Sequence, residues 1–220
     1  MNNKGNYKQI LNYYESKPNG DGPFRTVILM VHAPGIDDSS KKICDDLAKA
    51  GFYAVAPDPY LNGVYDFQSK SDDIIFDGLK LMLAVLRKNS IVDMSRLGII
   101  GFCMGGRHTY LANVYHDIFK AAVPYYGFPQ VGGTSDSIPQ NRIKEFNAPV
   151  LSIFGTEDTG IPMEFVQKYK EVSEINGKHK SIIYEGAAHG FSNHNSRNHH
   201  PKAAEDAWDK TIEFLEKYLV

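Results

Sequence analysis

Hydrophobic runs and amphipathic segments alternate along most of this chain. Continuous apolar stretches, such as 26–31 and 149–154, are typical of strands that are covered on both faces of a sheet. Segments such as 39–50 and 71–88 have their apolar residues on one side, which is the pattern of helices that pack on a core. The alternation predicts an α/β fold with a mostly parallel central sheet and helices on both faces.

The same patterns predict the order of the elements. The expected strands cover the segments 26–31, 52–56, 97–100, 120–126, 149–154 and 181–184. The expected helices cover 39–50, 71–88, a segment that ends near 114, 162–175 and 201–218. Gly51 is suited to end the first helix, Ser71 to cap the second and Pro162 to begin the fourth. The opening segment through Phe24 indicates an edge strand only weakly. Neither a repeat nor a second domain is visible, so residues 1–220 are expected to form a single domain.

Composition narrows the class of protein. The 26 acidic and 24 basic residues nearly balance, which favours neither nucleic acid nor an anionic membrane as a partner. The first residues have no apolar signal core and no stretch is long enough to span a membrane, so a cytoplasmic protein is expected, as a monomer or small homo-oligomer. Of the two cysteines, Cys44 lies on the apolar side of a predicted helix. A disulfide is therefore not expected, and a reducing compartment fits.

The segment Gly101-Phe102-Cys103-Met104-Gly105 follows an apolar run and precedes a segment that can be helical. Small residues on either side of a nucleophile, at a strand-to-helix junction, are the sequence form of a nucleophile elbow. Glycines flank the nucleophile because a Cβ there would meet neighbouring backbone in so tight a turn. Cysteine at the centre predicts a hydrolase with a thiolate nucleophile. The alternative is a structural cysteine, because free cysteines are often buried.

The order of residues downstream favours the catalytic interpretation. Asp158 lies just after the expected strand 149–154, and His189 follows the expected strand 181–184. Nucleophile, acid and histidine in this order, each past the carboxyl end of a strand, is the arrangement of the α/β-hydrolase fold. We therefore predict a triad in which Cys103 attacks, His189 acts as acid and base, and Asp158 orients the imidazole.

The oxyanion of the reaction needs two hydrogen-bond donors. The backbone N–H of Met104, directly after the nucleophile, is the first candidate. The second is expected in the loop after the first parallel strand, where Ala33 is preferred because Pro34 has no N–H.

Other acids and histidines compete for these roles. Glu157 is adjacent to Asp158 and would face the site if the loop turned differently, whereas Asp58, between two prolines, is interpreted as part of a structural turn. A polar, asparagine-rich loop contains three histidines, His194, His199 and His200. Because no cysteine or spaced carboxylate accompanies them, a solvated loop is favoured over a metal site, and neither metal nor cofactor is expected.

Several of these motifs together resemble the dienelactone hydrolase family. The segments that match are 101–106, the Pro57-Asp58-Pro59-Tyr60 turn, Tyr125-Tyr126-Gly127, Gly155 with Asp158, and His189-Gly190-Phe191. The resemblance extends from about Thr26 to the end of the chain. It implies a compact α/β-hydrolase core with a Cys-Asp-His triad that cleaves esters or lactones without a cofactor.

The chain departs from that family at two places. A glutamate that helps to activate the thiol in the family aligns with His32, which would either pair with the Cys103 thiolate or only pack beneath its loop. The family arginine that binds the substrate carboxylate aligns with Asn193, while Arg107 and Arg197 lie elsewhere. Because arginine is the natural clamp for a carboxylate, a neutral ester, lactone or thioester is expected here.

The pocket is expected to be aromatic, with substrate contacts from Tyr60, Tyr126, Phe128 and Phe191 beside His32, although each aromatic could instead belong to the core. The long segment 128–147 is either a surface excursion, with a short helix near 141–146, or part of a lid. The predicted function is hydrolysis of a small ester or lactone through a cysteine thiolate. The alternatives are a phosphotriester or thioester hydrolase on the same triad, and a non-catalytic thiol sensor that keeps the fold.

Overall fold

The computed structural model describes residues 12–33, 35–58 and 72–220. Seven strands form one sheet: Asn12–Ser16 (β1), Phe24–Met30 (β2), Tyr53–Asp58 (β3), Val92–Phe102 (β4), Phe119–Tyr125 (β5), Leu151–Gly155 (β6) and Lys180–Tyr184 (β7). Five α-helices accompany them: Asp38–Lys49 (α1), Asp72–Leu86 (α2), Met104–Tyr115 (α3), Met163–Ser173 (α4) and Pro201–Tyr218 (α5). Short 3₁₀ helices cover Ser135–Ser137, Pro139–Glu145 and Glu174–Asn176.

The strand order in the sheet is β1-β3-β2-β4-β5-β6-β7, and only β1 runs antiparallel to its neighbour. The predicted α/β fold with a mostly parallel sheet is therefore confirmed. The weakly indicated edge strand is present as β1, which pairs with β3 from Asn12 to Ser16. The element order also agrees with the prediction, with boundaries that differ by a few residues.

Local chemistry explains several boundaries. Asp37 caps α1, since its side chain accepts the N–H of Ser40, and Gly51 ends the helix in a left-handed conformation with φ of 88°. Pro201 is the first residue of α5, where its missing N–H removes no helical hydrogen bond. Pro162 was expected to be the first residue of the fourth helix, but it is the N-cap, and α4 begins one residue later at Met163. The proposed cap Ser71 lies outside the described residues.

One hydrophobic cluster contains side chains from both faces of the central strands. Val27 and Ile28 on β2, and Ile99 and Ile100 on β4, are all inaccessible to solvent. Burial of consecutive residues is what a parallel strand covered on both faces requires. The carboxyl ends of β2, β4, β5, β6 and β7 lie along one edge of this sheet, and the segments at that edge hold the site.

Candidate active site

Cys103 occupies the sharp bend between β4 and α3. Its φ of 57° and ψ of −121° are unusual for a residue with a side chain. A Cβ on Gly101 would lie 2.2 Å from the carbonyl oxygen of Gly105, and a Cβ on Gly105 would lie 2.0 Å from that of Met30. Backbone approaches this close leave room only for glycine. The bend leaves Cys103 partly exposed at the edge of the sheet.

Asp158 and His189 are paired. Nδ1 of His189 lies 2.7 Å from Oδ2 of Asp158, and because a carboxylate only accepts, Nδ1 holds the shared proton. The other carboxylate oxygen accepts the N–H groups of Gly160 at 2.9 Å and Ile161 at 3.2 Å. The Asp158 side chain is 2% exposed. It is therefore fixed by three hydrogen bonds in the position from which it can orient the imidazole.

Two aromatic residues hold the imidazole from its sides. The rings of Tyr126 and Phe128 both have their centres 4.9 Å from the centre of the His189 ring. These two residues and Cys103 are the non-glycine residues with positive φ in the described part of the chain. Backbone strain of this kind is retained where the surrounding structure requires it, commonly at functional sites.

The environment of His189 favours the protonated ring. Burial alone lowers its pKa, but the hydrogen bond to Asp158 and the nearby sulfur of Cys103 outweigh burial and raise the pKa to about 9. Nε2 is buried without a well-aligned hydrogen-bond partner, although the sulfur is close enough to contribute to this shift. Imidazolium beside a sulfur is the arrangement that stabilises a thiolate.

Cys103 and His189 line a cavity of about 210 Å³. The remaining walls combine aliphatic and aromatic side chains with small polar ones: Leu29, Val31, His32, Ser39, Ser40, Ile43, Phe102, Tyr126, Gly190, Ser192, Asn193 and Ser196. Among these described lining residues there is no lysine or arginine. Asn193, at the place of the family arginine, accepts the N–H of Asn195 at 2.9 Å.

His32 lines this cavity and pairs with a carboxylate. Its Nε2 lies 3.1 Å from Oδ2 of Asp37. Burial raises the pKa of Asp37, but hydrogen bonds from Ser40 and the contact with His32 outweigh it and lower the pKa. Asp37 is not among the site residues predicted from the sequence. Its position just before a predicted helix, which is typical of an N-cap, was the available signal.

The two candidate oxyanion donors lie at this end of the sheet. Met104 is the first residue of α3, so its N–H has no acceptor within the helix and adjoins the nucleophile. Ala33 lies in the turn after β2, which closes with a 2.9 Å hydrogen bond from the N–H of Gly35 to His32. Pro34 itself lies outside the described residues.

The other predicted substrate contacts differ in placement. Tyr126 lines the cavity, and its hydroxyl lies 2.8 Å from that of Ser192. Phe128 packs on His189 and does not line the cavity. Phe191 is fully buried behind Tyr126, with 5.7 Å between ring centres, so the structure gives it a supporting place in the core. Tyr60 lies outside the described residues.

The acids and histidines that competed for catalytic roles do not line the catalytic cavity. Glu157 is exposed, and Asp58 ends β3. His200 caps α5 by accepting the N–H of Ala203, and Nδ1 of His199 lies 3.1 Å from the carbonyl oxygen of Phe191. The described residues contain no group of three metal-binding side chains. They also contain no helix of the length and apolar character needed to cross a membrane.

Arg107 fastens the long segment 128–147 to the body of the protein. Its guanidinium is 4% exposed and donates to both carboxylate oxygens of Asp72, at 2.6 and 2.8 Å. It also donates to the carbonyl oxygens of Val131 and Ser137. Burial raises the pKa of Asp72, but the bonds from Arg107 and His108 outweigh it and hold the pKa well below its ordinary value. These contacts engage the guanidinium of Arg107, which is therefore not free to bind a substrate carboxylate.

Comparison with known proteins agrees with this geometry. The family model described as "Dienelactone hydrolase family" matches residues 11–219. The chain belongs to the dienelactone hydrolase family. A Methylorubrum extorquens protein named "Putative carboxymethylenebutenolidase" is 30% identical over 228 residues, which cover 96% of this chain and 78% of that protein. The chain is accordingly a hydrolase of ester or lactone bonds.

Solved structures share the fold. The "Putative Dienelactone Hydrolase" of Klebsiella pneumoniae has a TM-score of 0.84 and 27% identity, with 94% of this chain and 93% of that chain covered. A dienelactone hydrolase-like promiscuous phosphotriesterase from metagenomic libraries has a TM-score of 0.72 and 19% identity, with 96% and 99% covered. The second likeness concerns the α/β-hydrolase fold alone.

Proposed function

We propose that this member of the dienelactone hydrolase family cleaves carboxylic esters or lactones through a thiolate on Cys103. The observation that best supports this role is the 2.7 Å contact between His189 and a buried, fully hydrogen-bonded Asp158, in a cavity that Cys103 also lines. A cysteine that only senses oxidants needs a lowered thiol pKa and no oriented acid–base pair. The arrangement is that of nucleophilic catalysis.

The reaction proceeds in two stages. The Cys103 thiolate attacks the ester carbonyl carbon, and the oxyanion that forms accepts hydrogen bonds from the N–H groups of Met104 and Ala33. Collapse breaks the carbon–oxygen bond, and Nε2–H of His189 protonates the leaving alkoxide. In a lactone this new hydroxyl stays attached to the acyl chain. His189 then takes a proton from the water that attacks the thioester carbonyl carbon. Collapse breaks the carbon–sulfur bond, which releases the carboxylic acid and restores the thiolate beside the protonated imidazole.

The substrate is proposed to be uncharged near the scissile bond. The described cavity lining is polar through serines and Asn193 and contains no lysine or arginine, while Arg107 is engaged by Asp72. A carboxylate placed there would lose hydration without gaining the paired hydrogen bonds of an arginine. Neutral esters and lactones suit these walls better than dienelactone acids do.

Two measurements test the proposed function. Cys103→Ala is expected to abolish hydrolysis of p-nitrophenyl acetate while leaving the far-UV circular dichroism spectrum unchanged, and undiminished turnover would exclude the assigned nucleophile. In a panel of lactones of matched ring size, the neutral members are expected to have the higher kcat/KM. A strong preference for carboxylate-bearing lactones would contradict the proposed substrate class.

A further inference from the structure

A second cavity, of about 290 Å³, adjoins the catalytic one between α1 and α5. Four residues line both cavities: Ser39, Ile43, Phe102 and Ser192. The catalytic cavity, at about 210 Å³, is smaller than the roughly 300–1,000 Å³ of typical small-molecule sites. A substrate much larger than a simple short-chain ester therefore has to extend beyond it, and the second cavity is beside it.

The lining of the second cavity combines aromatic rings with polar groups. Trp208 on α5 contributes the only indole of the chain, and Phe102 and Tyr125 stack on each other with 4.5 Å between ring centres. Lys42 and Asp46, which form an ion pair on α1, also line it. Further polar lining comes from His194, His199 and Glu205. Aromatic and aliphatic walls with a few polar groups suit a flat ring that has a polar substituent.

We propose that this cavity is a distal subsite that binds a hydroxylated aromatic ring at the far end of the ester whose carbonyl group lies at Cys103. The inference rests on the proposed function for the position of the carbonyl group. The ring contacts Trp208 and Ile43, and its hydroxyl meets the polar groups of the lining. The small side chains of Ser39 and Ser192 lie at the boundary that the linking part of the substrate crosses.

Two matched series of esters test the subsite. One series varies the acyl group of p-nitrophenyl esters: acetate, hexanoate and 3-(4-hydroxyphenyl)propanoate. The other varies the alcohol of acetates: ethyl, hexyl and 2-(4-hydroxyphenyl)ethyl. In one of the two series the ring-bearing ester is expected to have a kcat/KM about tenfold or more above that of the six-carbon ester of the same series, which is the hexanoate or the hexyl acetate. Burial of an aromatic ring predicts a difference of this size. Equal values in both series would overturn the subsite.

Filling the second cavity with a larger side chain tests its role separately from that of the catalytic cavity. Ala204 lines the second cavity and not the first. Ala204→Phe is expected to remove the preference for the ring while leaving kcat/KM for the short esters unchanged. The matched control is Ala84→Phe, on an exposed position of α2, which should keep the preference. Retention of the preference in Ala204→Phe would contradict the proposal.

Binding can also be followed without catalysis. In Cys103→Ala, methyl 3-(4-hydroxyphenyl)propanoate is expected to change the fluorescence of Trp208 in a saturable way, and adding Ala204→Phe should remove this change. An absent response would overturn the subsite. If wild-type protein hydrolyses no ester yet the fluorescence responds, the proposed function fails while the ring site stands.

Discussion

Asp158→Asn changes one atom of the contact that orients His189. The Asn oxygen can still accept the N–H groups of Gly160 and Ile161, so the loop after β6 keeps its hydrogen bonds. The amide nitrogen replaces Oδ2 and can only donate to Nδ1 of His189. The neutral ring must then hold its proton on Nε2. The nitrogen that faces the thiol is no longer a base.

The size of the effect follows from the pKa of His189. Its rise from the ordinary 6.5 to about 9 corresponds to about 3 kcal/mol in favour of the imidazolium, shared between Asp158 and Cys103 and opposed by burial. Without the carboxylate, burial is opposed only by the nearby sulfur, and the pKa of His189 is expected to fall. With the wrong tautomer as well, kcat/KM should decrease by roughly 10²- to 10⁴-fold.

The assay combines kinetics with titration. Hydrolysis of p-nitrophenyl acetate gives kcat/KM as a function of pH, and the imidazole resonances of His189 give its pKa directly. Glu157→Gln is the matched control, because it makes the same chemical change at the neighbouring, exposed side chain. A variant Asp158→Asn with kcat/KM within about threefold of wild type, or with an unchanged His189 pKa, would refute the assigned orienting role.

Three further predictions concern stability and the cavity. Because the folded pKa of His189 is raised, its contribution to the free energy of unfolding is complete below the ordinary 6.5 and lost as the pH rises through about 9; urea unfolding should show this decline, and Asp158→Asn should flatten it. Gly105→Ala should cost about 1–3 kcal/mol or more, since its Cβ would lie 2.0 Å from a backbone oxygen of Met30; Gly133→Ala, with open space around it, should cost under about 0.5 kcal/mol, and equal costs would contradict the elbow argument. His32→Ala should shift the pH dependence of kcat/KM, because it removes a titratable group that lines the cavity; an unchanged profile would leave His32 only a packing role.

Most of the fold was predictable because it depends on local patterns. The last helix begins at Pro201 and ends at Tyr218 as expected, since the proline and the amphipathic spacing both act over one or two turns. Cys103, Asp158 and His189 follow three separate strands, and the parallel sheet brings those strand ends to one edge. Their chain order therefore predicted the spatial arrangement that the structure has.

Contacts between elements that are distant in the chain were harder to predict from the sequence. Phe191 follows the histidine directly, yet its ring turns into the core against Tyr126 and Tyr184, because the loop direction after β7 decides which side chain faces the cavity. Asp37 and Arg107 were not assigned their contacts for a similar reason. Their partners depend on how the chain closes around the site, which no periodicity records.

The central claim, that the sulfur of Cys103 becomes acylated, is tested most directly by trapping the intermediate. Rapid acid quenching during turnover of a p-nitrophenyl ester, followed by peptide mass spectrometry, should locate the acyl group on Cys103. Cys44 is an internal control, because burial raises its pKa to about 12 and it is inaccessible to solvent. An acyl group found on Cys103 and absent from Cys44 is the predicted result. Continued turnover with the acyl group on another residue, or on none, would contradict the account.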